Sequence, residues 1–194
     1  MDKNYGKNNY YKIGAFMIFE LNNYEAQIIN YDDIGGLINA LEKHYDFRVL
    51  LDETGYTDKF MIVRFTLSGT NKKFGVGLTM ADIGVEPRIV AVPYSDLSLI
   101  GYNMTLAILD LKQKTIIFRN EFLTPIVFLK CYSDCFLVLT ENCIYLFSYS
   151  GEELNMHILD DLLIQFEFTN DTLSFKTDSS PDQKSISLKE FGIR

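Results

Sequence analysis

The spacing of apolar positions changes once along the chain, at residues 33–45. Apolar side chains recur there at three- and four-residue intervals, which predicts an amphipathic helix. These positions are Ile34, Leu37, Ile38, Leu41 and Tyr45. Asp32 or Asp33 stands where a capping residue belongs and can accept from the free N–H groups of the first turn. Gly35 and Gly36 weaken that turn by about 1 kcal/mol each relative to alanine, so tertiary packing must stabilise the helix.

The remaining apolar residues occur in short runs or alternate with polar ones, which predicts β-strands. In the first half of the chain, strands are predicted at 12–20, 24–31, 47–52, 59–67, 73–80 and 88–93. In the second half, strands are predicted at 97–102, 104–110, 114–119, 125–131, 135–140, 142–149, 162–168, 172–177 and 184–188. Short strands with regularly spaced turns are typical of a meander, a sandwich or propeller blades.

The alternation is cleanest at 162–168, where it predicts two faces of one strand. One face carries Leu162, Ile164, Phe166 and Phe168. The other face carries Leu163, Gln165 and Glu167. An exact period of two places every second side chain on the same side of a sheet.

Two segments of the second half resemble each other. TENCIYLFSYSGEE (140–153) aligns without gaps on TNDTLSFKTDSSPD (169–182), 29 positions later. Their turn–strand–turn form is similar to the outer hairpin of a WD- or NHL-type propeller blade. Any two strand–turn segments can also look alike by chance. A closed propeller needs about four or more blades, so the resemblance implies only a two-blade fragment packed on another element.

These patterns together predict an α+β fold dominated by strands. Residues 1–95 form an α+β part with a polar N-terminal arm, and residues 96–194 form an antiparallel all-β part. No stretch of linker composition separates the two parts, so one continuous domain is the alternative.

Composition is that of a folded protein without a membrane segment. Apolar residues make up 47% and charged residues 23% of the 194 residues, which is ordinary for a globular chain. No apolar run approaches the roughly 18–20 residues that cross a bilayer. The polar first residues show no secretory signal, and three cysteines are an odd number, so we expect a cytoplasmic protein with reduced thiols.

Charge is distributed unevenly. From Cys131 to Phe175 there are eight acidic residues and no lysine or arginine, and eight is also the size of the net charge of −8. The acidic residues are Asp134, Glu141, Glu152, Glu153, Asp160, Asp161, Glu167 and Asp171. Phosphate binding requires clustered basic residues, so this balance argues against a nucleic-acid surface.

The sequence motifs give little support for a metal site or a phosphate-binding loop. Cys131, Cys135, Cys143 and His157 could form a Cys3His zinc site, but their spacing matches no standard motif. Buried free cysteines are the simpler interpretation. FGVGLT (74–79) lacks the third glycine and the following helix of a phosphate loop, and close backbone packing explains its glycines better. We therefore predict no metal and no cofactor.

The sequence also contains no clear set of catalytic residues. His44 lies near the end of the predicted helix, where a cation is favoured by the dipole. No nucleophile motif accompanies either histidine. A hydrolase that uses His157, Asp160 and Asp161 remains a remote alternative, and we otherwise expect no enzymatic activity.

The acidic stretch carries the functional hypothesis. It is either a solvated surface that prevents edge aggregation or a docking surface for a basic protein. The predicted contacts are Glu141, Glu152, Glu153, Asp160, Asp161, Glu167 and Asp171. The most concrete version is an inhibitor, such as an immunity protein that occludes a basic, nuclease-like toxin or enzyme. The alternative is a β-rich interaction module or scaffold in a larger assembly.

Overall fold

The computed structural model describes residues 11–13, 16–21, 23–52 and 56–193. Strands dominate it, and two helices accompany them. The chain forms two compact units, Met1–Gly84 and Val85–Arg194. The division that the sequence predicts, between residues 95 and 96, stays a prediction.

The first unit is a six-stranded mixed sheet with one helix. Its elements are β1 (Tyr11–Ile13), β2 (Phe16–Leu21), β3 (Tyr24–Tyr31), α1 (Ile34–His44), β4 (Phe47–Asp52), β5 (Lys59–Leu67) and β6 (Lys73–Met80). The strand order is β1-β2-β3-β5-β6-β4, and only the β4–β6 pair is parallel. The single strand predicted at 12–20 is an antiparallel pair, β1 and β2.

The predicted helix is confirmed as α1. The Asp33 carboxylate accepts from Gly36 N at 2.7 Å and caps its start. Leu37 and Leu41 are buried on the sheet. They can approach β6 closely because it carries glycine, since a Cβ on Gly77 would lie 2.7 Å from Leu41 Cδ1. The packing explanation for the glycines of FGVGLT therefore agrees with the structure.

The second unit contains three antiparallel sheets followed by a short helix. The first sheet has β7 (Arg88–Ala91), β8 (Leu97–Tyr102), β9 (Thr105–Asp110) and β10 (Thr115–Glu121). The second has β11 (Ile126–Cys131), β12 (Cys135–Thr140), β13 (Cys143–Ser148) and β14 (Glu153–Ile158). The third has β15 (Leu163–Phe168), β16 (Thr172–Thr177) and β17 (Ser180–Ser187), and α2 (Leu188–Phe191) follows it.

These sheets are a repeat with a period of 37–38 residues. Strands of the first sheet begin at 88, 97, 105 and 115, and those of the second at 126, 135, 143 and 153. Each start is thus displaced by 38 (126 − 88 = 38). The third sheet begins its strands at 163, 172 and 180, a displacement of 37 (163 − 126 = 37). The 29-residue alignment matched β13 with β16, a third strand with a second strand, so it is not the structural repeat.

Apolar side chains fill the spaces between successive sheets. Leu99 and Ile108 of the first sheet pack with Phe136 and Val138 of the second. On its other face the second sheet contributes Leu137 and further apolar residues to a cluster with the third sheet. The middle sheet is therefore apolar on both faces, which is the pattern of an internal repeat.

The third sheet is apolar on one face only. Leu173 and Phe175 pack toward the second sheet. On the opposite face, Glu167 pairs with Ser174 and Gln165 with Lys176. A polar face of this kind can be in contact with water.

A bulge corrects the predicted faces of 162–168. The register of β15 shifts between Leu163 and Gln165. Leu163 therefore packs on the same side as Phe166 and Phe168, and Ile164 is exposed. A period-two pattern cannot anticipate an inserted residue, because the insertion exchanges the two faces.

No helix in the described part of the chain has both the length and the apolar character needed to cross a bilayer.

Candidate functional site

Strand β14 presents an apolar row at the edge of the second sheet. It is the last strand in the order β11-β12-β13-β14 and pairs only with β13. Leu154, Met156 and Ile158 are 49%, 44% and 65% exposed. Three large apolar side chains at alternate positions of one edge strand form an unusual surface, because edges are normally protected by charge or proline.

The hydrogen-bond pattern turns the backbone of Met156 and Ile158 outward. Leu159 N donates to Asn142 O at 2.8 Å, and Ile144 is the register partner of His157. In an antiparallel ladder the paired residues alternate, so the N–H and C=O groups of Asn155 and His157 point to β13. Those of Met156 and Ile158 point away from the sheet. The register shifts between Leu146 and Phe147, so Leu154 is an inserted residue to which this alternation does not extend. Asn155 Oδ1 accepts from Met156 N at 2.8 Å, so an added strand would have to replace this contact before it could pair with that N–H.

The inner side of β14 is held in place by the C-terminal segment. Asn155 Nδ2 donates to Phe191 O at 2.9 Å. Phe191 and Ile193 are buried in the cluster between the second and third sheets. The Ser187 hydroxyl accepts from Glu190 N and caps α2, and Gly192 ends the helix with a left-handed backbone at φ 111°. The edge strand is thus supported from beneath as well as by β13.

The last strands of the neighbouring sheets carry charged residues, although β10 also exposes Ile117 at 44%. The last strand of the third sheet, β17, contains Pro181 and Lys184. On β10, the last strand of the first sheet, Arg119 forms an ion pair with Glu121 at 3.2 Å. Proline and lysine are the usual protection of an edge against further pairing. Of the three last strands, β14 exposes the most large apolar side chains.

Four of the sequence-predicted contacts bracket β14. Glu152 and Glu153 stand at its start, and Asp160 and Asp161 follow its end. The first three are exposed, and Asp161 is half-exposed. A six-residue strand is roughly 20 Å long, so the two acidic pairs lie at opposite ends of the apolar row.

The other predicted contacts are dispersed. Glu141 lies at the end where β14 finishes, since Leu163 N donates to its carbonyl at 2.6 Å. Asp171 is in the β15–β16 turn at the opposite end, and Glu167 is on the polar face of the third sheet. The structure therefore divides the acidic residues between two ends and a sheet face instead of collecting them on one face. Whether they bind a basic partner stays a prediction.

One acidic residue has a basic partner from outside the acidic stretch. Asp160 forms an ion pair with Lys184 and accepts from the Thr177 hydroxyl at 3.1 Å. The Lys184 hydrogen bond is the main cause that lowers the pKa of Asp160 below 3.8, with a smaller contribution from Thr177. The carboxylate of Asp161 accepts from Leu162 N at 2.8 Å. These contacts fix the loop that leaves β14.

The cysteines do not converge on a metal site. Cys131 packs in the cluster between the first two sheets, whereas Cys135 is buried in the cluster on the other face. Burial raises the pKa of each of these two thiols to about 12, so both are protonated at neutral pH. Among the residues that the structure describes, no three potential ligands come together.

The 157–161 cluster is not arranged as an acid–base pair. The His157 ring is exposed and lies 6.2 Å from the Phe175 ring. Asp160 and Asp161 are engaged in the contacts given above. The hydrolase alternative remains untested, but these carboxylates have structural partners. His44 lies in the last turn of α1, where the sequence placed it.

Comparisons with known proteins leave the family open. No family model matches the chain, and no curated protein matches it. Hsv2 of Kluyveromyces marxianus is similar in structure at a TM-score of 0.45 and 13% identity, over 68% of this chain and 45% of that one. Hsv2 of Kluyveromyces lactis is similar at a TM-score of 0.43 and 15% identity, over 66% of this chain and 42% of that one. The match spans less than half of each Hsv2 chain, and such TM-scores assign neither family nor function.

Strand β14 is the element that the sequence interpretation missed. ELNMHI (153–158) contains glutamate, asparagine and histidine, which are not typical strand formers. The signal was the alternation of Leu154, Met156 and Ile158 with polar residues, the period of a half-buried strand. The acidic residues at the two ends of the strand are a stronger sequence signal than the alternation at its centre.

Proposed function

We propose that this chain is a non-enzymatic, β-rich protein-interaction module. Strand β14 receives an extended segment of a protein partner, which pairs with it as a fifth strand of the second sheet. The observation that supports this function is the coincidence of exposed apolar side chains with outward-facing backbone groups on Met156 and Ile158, next to the exposed side chain of Leu154.

Strand addition uses both features of this edge. Backbone hydrogen bonds supply affinity, and alternate side chains of the added strand supply specificity. Each newly formed hydrogen bond contributes about 0.5–1.5 kcal/mol net. Burying the three apolar side chains adds to that, at about 25 cal/mol per Å² removed from water. The support from Asn155 and Phe191 keeps the edge ordered before the partner arrives, which lowers the entropic cost of binding.

A more specific version is an inhibitor that occludes a basic, nuclease-like enzyme. It is favoured by the eight acidic residues without a lysine or arginine between Cys131 and Phe175. The distribution of these carboxylates over two ends makes a single broad acidic contact harder to form. This version predicts that the affinity for the target falls steeply with salt and with Glu152→Lys or Asp171→Lys.

The test is a selection of peptides against the whole chain. A phage-displayed library of random nine-residue peptides would be panned on wild-type protein, and selected peptides would be measured against Ile158→Pro. Proline removes the outward N–H of residue 158 and leaves the β13 ladder intact, since that N–H does not face β13. Ile158→Val, which keeps both donor and apolar character, is the matched control.

We expect the selected peptides to bind the valine variant as wild type and to bind the proline variant at least tenfold more weakly. If Ile158→Pro does not fold, Ile158→Ser replaces it, because that side chain is 65% exposed and contributes little to the core. Peptides that bind the variants and wild type equally would overturn the proposal. So would a library from which nothing is selected.

A further inference from the structure

We infer that the segment bound by β14 carries lysine or arginine at both ends of an apolar centre, and that the same carboxylates prevent β14 from pairing with β14 of a second copy. This inference rests on the proposed function, and it names the chemistry of the partner.

The geometry of the edge sets the length of the partner's centre. Glu152 and Glu153 precede the apolar row, and Asp160 and Asp161 follow it. An added strand that covers β14 therefore has about six residues between the two acidic pairs. Residues just beyond that centre, on either side, lie beside two carboxylates each. Cross-strand pairs of opposite charge are favourable and like charges are unfavourable.

Within the described part of the chain, most of these carboxylates have no ion pair. Of the four, Asp160 has an ion pair within the described part of the chain, to Lys184. Glu152, Glu153 and Asp161 lie in the stretch from Cys131 to Phe175 that contains no lysine or arginine. A partner with basic ends would supply the positive charge that this surface lacks. Electrostatic attraction would also steer such a partner toward the surface and raise the association rate.

Self-association is the alternative use of an apolar edge, and the charges oppose it. In an antiparallel pair of β14 strands, the start of one strand lies against the end of the other. Glu152 and Glu153 of one copy would then approach Asp160 and Asp161 of the second at both ends of the pair. Eight carboxylates would be brought together, so the edge selects a different chain over its own copy.

The first experiment compares three synthetic peptides with the same six-residue centre, Val-Thr-Val-Thr-Val-Thr, flanked on both sides by Lys-Lys, Gln-Gln or Glu-Glu. Binding to the whole chain would be measured by fluorescence anisotropy at about 50 and 300 mM salt. We expect the Lys-flanked peptide to bind at least tenfold more tightly than the Gln-flanked one at low salt, with a smaller ratio at high salt. The Glu-flanked peptide should bind most weakly.

The outcomes separate this inference from the proposed function. Equal binding of the Lys- and Gln-flanked peptides, with loss of both in Ile158→Pro, would overturn the charge inference and leave strand addition supported. No binding of any of the three peptides would overturn the inference, and the peptide selection described above would decide the proposed function independently.

The second experiment reverses charge at one end. In Glu152→Lys/Glu153→Lys, the start of β14 becomes complementary to Asp160 and Asp161 of another copy, so we expect a dimer in sedimentation-velocity runs from about 5 to 200 µM. The matched control reverses all four residues, adding Asp160→Lys and Asp161→Lys. It restores like charges at both ends and should stay monomeric. Adding Ile158→Pro to the double variant should abolish the dimer.

Two results would contradict the inference that these carboxylates prevent β14 from pairing with β14 of a second copy. One is a wild-type dimer that Ile158→Pro dissociates. The other is a double variant that sediments as a monomer throughout the concentration range while its thermal unfolding is unchanged from wild type.

Discussion

Single residues set how closely the elements of the first unit approach. Gly77 on β6 lies under α1, where an added Cβ would be 2.7 Å from Leu41 Cδ1 and 2.9 Å from Leu50 Cδ1. Gly36 in the first turn of α1 has its nearest neighbour at 3.6 Å from such a Cβ, which is ordinary contact. The two glycines therefore serve different purposes, although sequence alone presents both as interruptions of an apolar pattern.

Gly77→Ala is expected to destabilise the protein by about 1–3 kcal/mol, because the methyl group overpacks the helix–sheet contact. Gly36→Ala is expected to stabilise it by about 0.4–1 kcal/mol, because alanine restricts the unfolded chain more than glycine does. Urea unfolding of both variants measures the difference. A Gly77→Ala variant as stable as wild type would show that α1 is not seated on β6.

Asp160 provides a pH-dependent prediction at the same scale. Its pKa is lowered from 3.8 mainly by the Lys184 hydrogen bond, so the contact stabilises the folded state at neutral pH and is lost as the pH falls below 3.8, through the folded-state pKa. Lys184→Met should raise the pKa of Asp160 toward 3.8, as followed by the NMR shift of its carboxyl carbon. Asp171→Asn is the control, since it should leave that titration unchanged.

At the scale of elements, alternation predicts strands well and bulges poorly. The ranges of β3, β4, β5 and β6 agree with their sequence predictions. The faces of β15 were wrong, because one bulge residue exchanges them. Strand β14 was missed because half of its residues are glutamate, asparagine and histidine, which are not typical strand formers. Its exposure follows from its place at the end of the strand order.

The alternating backbone of β14 makes a direct prediction for hydrogen exchange. Amides of Asn155 and His157, which point to β13, should exchange slowly, and that of Ile158 should exchange at least tenfold faster. Native-state exchange followed by NMR resolves the individual amides. A bound peptide of the kind proposed here should protect Ile158 specifically. Equal protection of His157 and Ile158 in the free protein would mean that the edge is already covered.

For the whole molecule, the 37–38-residue repeat shows how one position changes its role. Leu137 of the second sheet and Ser174 of the third are equivalent, since 174 − 137 = 37. Leu137 is fully buried in the cluster against the third sheet. Ser174 is on the face that has no further sheet of this repeat beyond it among the described residues. The same position is therefore part of the core in the second sheet and part of a polar face in the third.

Leu137→Ala should cost about 2–5 kcal/mol of stability, since it removes buried methyl groups from the space between two sheets. Ser174→Ala, at the equivalent position, should change stability by about 0.5 kcal/mol or less. Thermal and urea unfolding of the two variants test this. A large loss in Ser174→Ala would indicate that this polar face is covered in the folded protein.

The sequence by itself determined the local structure of this protein: the helix with its Asp33 cap, most of the strand ranges, and the acidic stretch without basic residues. These features depend on neighbouring residues and on a period of two or 3.6, which a linear pattern contains. Tertiary structure alone decided the order of the strands, the true period of the repeat and the position of β14 at an edge. It also placed two acidic pairs at opposite ends of that strand. Which backbone groups remain unpaired depends on partners distant in sequence, so only the folded chain shows where another strand can bind.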